Sequence, residues 1–316
     1  MEPKQQLDYA AVRAAAGRIA DAIRPVAVAP AADAVWYALE YLQHTGSFKA
    51  RGARNFLAAH AAAGTLPAAG VTIASGGNAG LACAWAARAQ GVPATVFLPG
   101  NAPRVKVDRL RGYGADVRLV GDRYAEALAA CQEFAAVSGA LSSHAYDNPL
   151  IAAGAGTLLD EIRAAVPGLD TVVVAVGGGG LFAGVATAAR EHGVRVLAAE
   201  PENCRALNAA LEAGRPVDVA VDSVAADSLG ATRVSAAALD VARGEHVRSL
   251  LVPDTAITEA RRALWEEHRI VVEAGAATAL AALRTTAEPP GKQVAVILCG
   301  ANTDPGDLVT SGASPE

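Results

Sequence analysis

Thr171-Val-Val-Val-Ala-Val-Gly-Gly-Gly-Gly180 is the stretch that decides the fold. Its first six residues are apolar or β-branched, as is typical of a strand buried on both faces. The four glycines lead directly into an alanine-rich segment with helical spacing, residues 180–191. A strand that turns at once into a helix is the repeating unit of a parallel sheet covered by helices. The stretch therefore predicts an α/β protein.

The same alternation continues in both directions along the chain. Further strands are predicted at residues 71–74, 94–98, 116–120, 194–198 and 293–298, and further helices at 78–90, 104–112 and 124–138. Right-handed crossovers then give parallel sheets whose strands are apolar on both faces. Breaks at residues 61–70 and 147–149 predict two domains, a large one (1–61 and 148–316) and a small inserted one (62–147).

Composition excludes several classes of partner. The 316 residues carry a net charge of −5, and only 4% of them are aromatic, so a nucleic-acid surface is not expected. No apolar run approaches the roughly 18 residues that a membrane span needs. The four cysteines are far apart in the sequence, which indicates reduced thiols in the cytoplasm and neither a disulfide framework nor a zinc site. A small-molecule substrate is the expected partner.

Three of the predicted strands are followed by glycine-rich loops, namely 75–80, 177–180 and 299–302. Ligands of α/β sheets bind outside the carboxyl ends of the strands, so the loops predict one shared crevice. Four consecutive glycines before a helix also favour an anion there. Their backbone can approach it closely, and the helix N-terminus attracts negative charge. A phosphate group is the expected anion.

The same loop leaves a second interpretation open. Gly178, Gly180 and Ala183 fit the pattern G-x-G-x-x-A, and Glu200 ends the next strand. An acidic residue about 20 positions after the glycines is the signature of dinucleotide binding. This segment alone would therefore also support an NAD-dependent oxidoreductase.

A lysine inside a short polar turn is the other unusual feature. Lys49 follows Thr45-Gly-Ser-Phe48, and lysine forms Schiff bases with carbonyl compounds when its surroundings lower its pKa. Without further evidence, Lys49 would be interpreted as an ordinary charged residue at the surface. His44, in the same turn, is a candidate for contact with the substrate.

With its neighbours, however, the turn resembles a known family. Gln43-His-Thr-Gly-Ser-Phe-Lys-Ala-Arg-Gly-Ala53 is similar to the cofactor-lysine segment of the serine/threonine dehydratase family of fold-type II pyridoxal-phosphate enzymes. Ser75-Gly-Gly-Asn-Ala-Gly80, the tetraglycine, Val272-Glu-Ala-Gly275 and Cys299-Gly-Ala-Asn302 continue the resemblance in the family's order. It implies two parallel-sheet α/β domains with pyridoxal 5′-phosphate in the cleft between them, and a homodimer.

The resemblance also implies roles for particular residues. Lys49 would hold the cofactor as a Schiff base and take the substrate α-proton. Phe48 and Ser228 would lie against the two faces of the cofactor ring, with Glu273 beside its edge. Asn78 would bind the ring hydroxyl. The cofactor phosphate would be bound by backbone N–H groups of Gly177, Gly178, Gly179, Gly180 and Leu181, and the substrate carboxylate by Ser75, Gly76, Asn78 and Ala79.

Cys299 would face the pyridine nitrogen of the cofactor. A thiol is a weak, neutral donor that cannot keep the ring nitrogen protonated. The ring is then a poorer electron sink, which favours prompt loss of a β-leaving group over transamination or racemisation. Cys83, Cys131 and Cys204 are interpreted as structural.

Two departures from the family pattern restrict the predicted activity and the predicted metal site. Serine racemases of the family have serine where this chain has Gly76, so racemisation should be minor. Glu200 matches a cation ligand of the family, but its usual acidic partner is here Ala206. No divalent metal is therefore predicted, and Glu200 is at most a monovalent-cation ligand. Arg104, Lys106, Arg109 and Arg111 are interpreted as the charged face of a surface helix.

The predicted activity is that of a lyase, an L-serine/L-threonine dehydratase that eliminates water from a β-hydroxy-α-amino acid to give a 2-oxo acid and ammonia. The alternatives are an amino-acid racemase of the same family and a dehydratase for phenylserine or hydroxyaspartate. More distant alternatives are the NAD-dependent oxidoreductase and a non-catalytic pyridoxal-phosphate-binding protein.

Overall fold

A computed structural model describes residues 6–287, 291–306 and 308. The helices are α1 (Tyr9–Ile19), α2 (Lys49–Ala62), α3 (Asn78–Gln90), α4 (Arg104–Gly112), α5 (Tyr124–Ser138), α6 (Pro149–Ala165), α7 (Gly180–Glu191), α8 (Ala206–Ala213), α9 (Ala226–Leu229), α10 (Ala236–Ala242), α11 (Asp254–His268) and α12 (Ala274–Thr285). The strands are β1 (Val28–Ala32), β2 (Val35–Ala38), β3 (Val71–Ala74), β4 (Ala94–Leu98), β5 (Asp116–Leu119), β6 (Leu141–Ser142), β7 (Thr171–Ala175), β8 (Arg195–Pro201), β9 (Val247–Val252) and β10 (Val294–Ile297).

The strands form two sheets, and the predicted α/β fold is confirmed. The larger sheet has the order β1-β2-β10-β7-β8-β9, and the smaller has the order β5-β4-β3-β6. All neighbouring strands are parallel except β1 and β2, which pair antiparallel. The β1–β2 hairpin was not predicted, because its sequence, Val28-Ala-Pro-Ala-Ala32, lacks the long β-branched run of β7.

The central strands of both sheets are buried on both faces, as helix-covered sheets require. Every residue of β3, β4 and β7 is buried. The same prediction is wrong for β5, where Asp116, Arg118 and Leu119 are exposed. This strand lies at the edge of the smaller sheet, where one side has no neighbouring strand to cover it.

All strands of the smaller sheet come from the predicted small domain, and all strands of the larger sheet come from the remainder. The domain limits themselves stay a prediction, and the outer limits, residues 1 and 316, lie outside the described residues. Within the described part of the chain, no helix is long and apolar enough to span a bilayer.

Local backbone chemistry brings the carboxyl ends of the strands to one place. After β7 the chain turns through Gly179, whose φ of +92° is a conformation that favours glycine, and α7 begins at Gly180. The turn after β3 is equally tight. Its tightness is seen at Gly80, where a Cβ would overlap the carbonyl of Ser75. The ends of β3, β7 and β10 therefore open toward the same space between the sheets.

Candidate active site

A cavity of about 620 Å³ lies at these strand ends. Except for the candidate His44, its wall includes the residues that the sequence predicts for cofactor or substrate: Phe48, Lys49, Ser75, Gly76, Asn78, Ala79, Gly177, Gly178, Gly179, Gly180, Leu181, Ser228, Glu273 and Cys299. The prediction of a single crevice shared by the three glycine-rich loops is thus confirmed. The roles assigned to the individual residues stay predictions.

Lys49 is the first residue of α2 and points into this cavity. Its Nζ donates a hydrogen bond to the carbonyl oxygen of Ala145 at 2.7 Å and lies 4.7 Å from the centre of the Phe48 ring. Burial lowers the pKa of the amine to about 8, although Cys299 and Glu273 act in the opposite direction. A substantial fraction of the amine is therefore unprotonated near neutral pH and can act as a nucleophile.

The segment that carries Lys49 is fixed to the end of β10. The backbone N–H of Phe48 donates to the carbonyl of Cys299 at 3.0 Å, and Ser47 forms an isolated bridge with Gly300. The Cys299 side chain is buried, and burial raises the pKa of its thiol to about 12. Cys299 is therefore a neutral thiol on the cavity wall at physiological pH.

The tetraglycine forms a tight cradle at another part of the wall. A Cβ on Gly178 would overlap the Tyr146 ring, and one on Gly179 would overlap Ala238. The α7 N-terminus lacks a side-chain cap in the described structure, so its first N–H groups remain available to a ligand. This combination suits a phosphate group.

The N-terminus of α3 offers a second set of donors. No side chain of the described structure caps this 13-residue helix, and it begins directly after Ser75, Gly76 and Gly77. Backbone N–H groups at such a position bind carboxylates as well as phosphates. The cavity thus has two uncapped helix N-termini that suit an anion, one beside each sheet, and Lys49 lines the same space.

Glu273 is the centre of a polar network between the two sheets. Its carboxylate accepts hydrogen bonds from the side-chain amide of Asn78, at 2.9 Å and 3.0 Å, and from the backbone N–H of Asn302 at 2.8 Å. Burial raises the pKa of Glu273, while Asn78 and Asn302 lower it. Asn302 also donates to Asn78 Oδ1 at 2.6 Å, so that Asn78, Glu273 and Asn302 form a closed network.

Ser228 lies in the short helix α9, where its hydroxyl packs directly against the backbone of Gly275 at the start of α12. A Cβ on Gly275 would overlap the Ser228 hydroxyl. The glycine in Val272-Glu-Ala-Gly275 is thus explained by this close approach.

Sequence reasoning missed the roles of Asn302, Tyr146 and Lys106. Asn302 was only the last residue of a sequence motif, and two of its partners, Asn78 and Thr45, are more than 200 residues away in the chain. Tyr146 covers the glycine cradle and donates from its hydroxyl to the carbonyl of Arg233 at 3.0 Å. No sequence spacing signals that contact.

His44 does not line the cavity; its ring stacks on Trp85 with centres 4.6 Å apart, beside a separate hollow. The surface-helix interpretation of α4 is confirmed, since Arg104, Arg109 and Arg111 are exposed and Lys106 is partly exposed. Two of these residues also have partners that the sequence did not indicate: Lys106 pairs with Asp227 at 2.8 Å, and Arg109 donates to the Asn302 side chain. Both reach across to elements of the other sheet.

Glu200 lies away from the cavity wall. Its carboxylate is fully buried and accepts hydrogen bonds from the backbone N–H groups of Leu207 (2.7 Å) and Asn208 (2.8 Å) at the start of α8. Burial raises its pKa to about 7. Among the described residues no cluster of three or more His, Cys, Asp or Glu side chains could hold a metal ion. A monovalent cation at Glu200 stays a prediction.

Comparison with known proteins agrees with this geometry. Residues 22–300 match the sequence profile of a family described as "Pyridoxal-phosphate dependent enzyme". The chain belongs to this family. It is 38% identical over 275 residues to an L-threonine ammonia-lyase of Geobacter sulfurreducens, covering 85% of this chain and 67% of the relative.

Two further proteins are similar to this pyridoxal-phosphate-dependent enzyme, one in sequence and one in structure. A human protein named serine dehydratase-like is 38% identical over 284 residues, covering 85% of each chain. The structure of maize serine racemase has 28% identity and a TM-score of 0.88, and the match covers 97% of each chain. The predicted fold type II and the predicted cofactor, pyridoxal 5′-phosphate, are therefore confirmed.

The residues of this pyridoxal-phosphate-dependent enzyme fit that cofactor. The glycine cradle has no room for side chains and presents free helix N–H groups, as a phosphate requires. Lys49 supplies an amine of lowered pKa for the aldehyde. The alternative of a dinucleotide site is wrong, because Glu200, the acidic residue on which it depends, is buried against α8.

Proposed function

We propose that the chain is a pyridoxal-phosphate-dependent ammonia-lyase that converts L-serine and L-threonine into 2-oxo acids and ammonia by eliminating water. The observation that carries the proposal is the position of Lys49. Its amine has a pKa of about 8 and lines one cavity with the glycine cradle and the α3 N-terminus. The relatives named L-threonine ammonia-lyase and serine dehydratase-like support this substrate class.

Bound pyridoxal phosphate supplies an aldehyde that condenses with amines and a ring that withdraws electrons from the substrate α carbon. The protein's own residues first position the cofactor and the substrate. Backbone N–H groups of residues 177–181 would hold the phosphate, Phe48 and Ser228 would confine the ring, and Asn78 would bind its hydroxyl. The α3 N-terminus, with Ser75, Gly76 and Ala79, receives the substrate carboxylate.

Lys49 both holds the cofactor and moves protons. Released by the incoming amino group, its amine takes the proton from the substrate α carbon and can return it to the departing β-hydroxyl, which leaves as water. A lysine with a pKa of about 8 is suited to both transfers near neutral pH. Water then hydrolyses the released unsaturated amine to the 2-oxo acid and ammonia, and this balances the water lost in the elimination.

Two features of the wall favour elimination over racemisation. The neutral Cys299 thiol cannot hold a proton on the ring nitrogen as a carboxylate would, so a negative charge on the α carbon is stabilised less. Gly76 has no side chain that could return a proton to the opposite face of the substrate. Reprotonation there requires a group that this position does not provide.

The test is a panel of L-serine, L-threonine, phenylserine and 3-hydroxyaspartate, assayed for 2-oxo acid and ammonia and for change of configuration. We expect 2-oxo acid and ammonia in equal amounts from serine and threonine, and at least about 10³-fold less with Lys49→Ala. Configurational change without 2-oxo acid would overturn the proposal in favour of a racemase. Cofactor binding without product would indicate a non-catalytic protein.

We also infer a cytoplasmic homodimer. Free thiols at all four cysteines support the reducing compartment, and the family resemblance supports the dimer. Light scattering at assay concentration should give the mass of two chains. The mass of one chain would contradict the dimer without affecting the proposed reaction.

A further inference from the structure

The cavity has a wall that no role described above uses. We call it the side-chain wall. Its residues come from segments beside each of the two sheets, namely Asn101, Pro103, Lys106, Tyr124, Asp227, Ala231 and Thr232. The phosphate cradle, Lys49 and the α3 N-terminus account for the cofactor and for the substrate's amino and carboxylate groups. The side-chain wall carries the charged side chains among the lining residues that remain, and the substituent on the substrate β carbon is assigned to it. This assignment rests on the proposed function.

Of the described residues that line the cavity, four carry a formal charge: Lys49, Lys106, Asp227 and Glu273. Lys49 is committed to the cofactor, and Glu273 to Asn78 and Asn302. The remaining two face each other, with Lys106 Nζ 2.8 Å from Asp227 Oδ1. Their charges cancel at the side-chain wall.

Both residues of the pair line the cavity, and both side chains are open to solvent. The Lys106 side chain is 37% exposed and the Asp227 side chain 78%. Exposed ion pairs of this kind contribute little to stability, so the pair is better explained by its place on the wall. The charge of Asp227 also reaches the interior, since it adds to the effect of burial in raising the pKa of Glu273.

We propose that the Lys106–Asp227 ion pair makes the enzyme selective for β-hydroxy-α-amino acids with uncharged side chains. With Lys106 occupied by Asp227, a second carboxylate on the substrate finds no free cation on this wall and is repelled by Asp227. Serine and threonine carry no such charge and are accepted. A substrate such as 3-hydroxyaspartate is excluded by charge and not by size.

The sharpest test removes the carboxylate and keeps its shape. Asp227→Asn leaves Lys106 unpaired and should raise the ratio of kcat/KM for 3-hydroxyaspartate to that for L-serine at least about tenfold, chiefly through a lower KM for 3-hydroxyaspartate. Succinate, a dicarboxylate that cannot react, should inhibit Asp227→Asn more strongly than the wild type. Added salt should weaken both effects.

Two controls separate charge from disruption. Lys106→Met combined with Asp227→Asn should restore the wild-type ratio, because the unpaired cation is gone. Asp116→Asn breaks the exposed Arg118–Asp116 pair outside the cavity and should leave the ratio unchanged.

An unchanged ratio in Asp227→Asn, or a wild type that uses 3-hydroxyaspartate as well as serine, would overturn the specificity proposal and leave the lyase intact. A wild type that releases no 2-oxo acid from serine or threonine would instead overturn the proposed function.

Discussion

The side-chain amide of Asn78 bridges both carboxylate oxygens of Glu273, at 2.9 Å and 3.0 Å. Asn78 begins α3, beside the smaller sheet, and Glu273 precedes α12, beside the larger one. The contact therefore joins the two walls of the cavity. Asn302 completes it from the end of β10, so three chain segments that are far apart in sequence share one polar network.

Asn78→Ala tests what this network contributes to stability. It removes two hydrogen bonds from a buried carboxylate, which should lower the free energy of unfolding of the cofactor-free protein by about 1–3 kcal/mol. Urea denaturation measures the change. Gln132→Ala, on the exposed face of α5, should change it by less than about 0.5 kcal/mol. Equal effects of the two substitutions would contradict the role of the network.

The lowered pKa of Lys49 predicts how cofactor uptake depends on pH. Condensation with the aldehyde needs the unprotonated amine, so its rate in cofactor-free protein should rise with pH with a midpoint near pH 8 and then level off. The growth of Schiff-base absorbance measures this rate, with Lys49→Ala as the blank. A midpoint near the ordinary lysine value of 10.5 would contradict the effect of burial.

The free energy of unfolding should also depend on pH through the Lys49 amine. Since the folded pKa is lower than the unfolded one, the unfolded chain binds more protons between pH 8 and 10.5. The contribution of Lys49 to the stability of the cofactor-free protein should therefore rise with pH across that window. The difference between wild type and Lys49→Met in urea titrations at several pH values measures it, and a difference independent of pH would contradict it.

Two glycines of the same segment allow a matched test of the phosphate cradle. Gly179 (φ +92°) precedes α7, and Gly193 (φ +65°) follows it in open space. Alanine at either position is strained by about 1–2 kcal/mol. Gly179→Ala should also weaken cofactor binding at least about tenfold, because the added Cβ overlaps Ala238 and shifts the cradle. Equilibrium titration with pyridoxal phosphate should show no such loss for Gly193→Ala.

Gly76→Ser would add a hydroxyl where the family's racemases carry one. A Cβ at this position would lie 2.7 Å from Cδ2 of Leu98, so the serine needs space that the wild type does not offer. Gly76→Ser combined with Leu98→Val should form D-serine from L-serine faster than either single variant does. Chiral chromatography measures it, and D-serine formation no faster than in wild type would show that Gly76 does not limit racemisation.

The residues that the sequence predicted for the site were those in local motifs. Lys49, Asn78 and the tetraglycine could be found because each stands in a turn whose glycines and neighbours are dictated by backbone geometry. Asn302, Tyr146 and Lys106 could not, because each acts through a partner supplied by a distant segment. The stacking of His44 on Trp85 could not be predicted for the same reason, since Trp85 lies on another helix. The strands at the centres of the sheets, such as β3, β4 and β7, were predicted as well. The β1–β2 hairpin and the exposure of β5 were not, because β1 and β5 lie at the edges of their sheets and the sequence does not show which strand is at an edge.

The central claim is that Lys49 carries the cofactor. Protein purified with pyridoxal phosphate should be reduced with borohydride, digested and analysed by mass spectrometry. We expect the reduced cofactor on the peptide that contains Lys49, and the loss of that adduct in Lys49→Ala. An unmodified Lys49 peptide, or the cofactor on a different lysine, would contradict it.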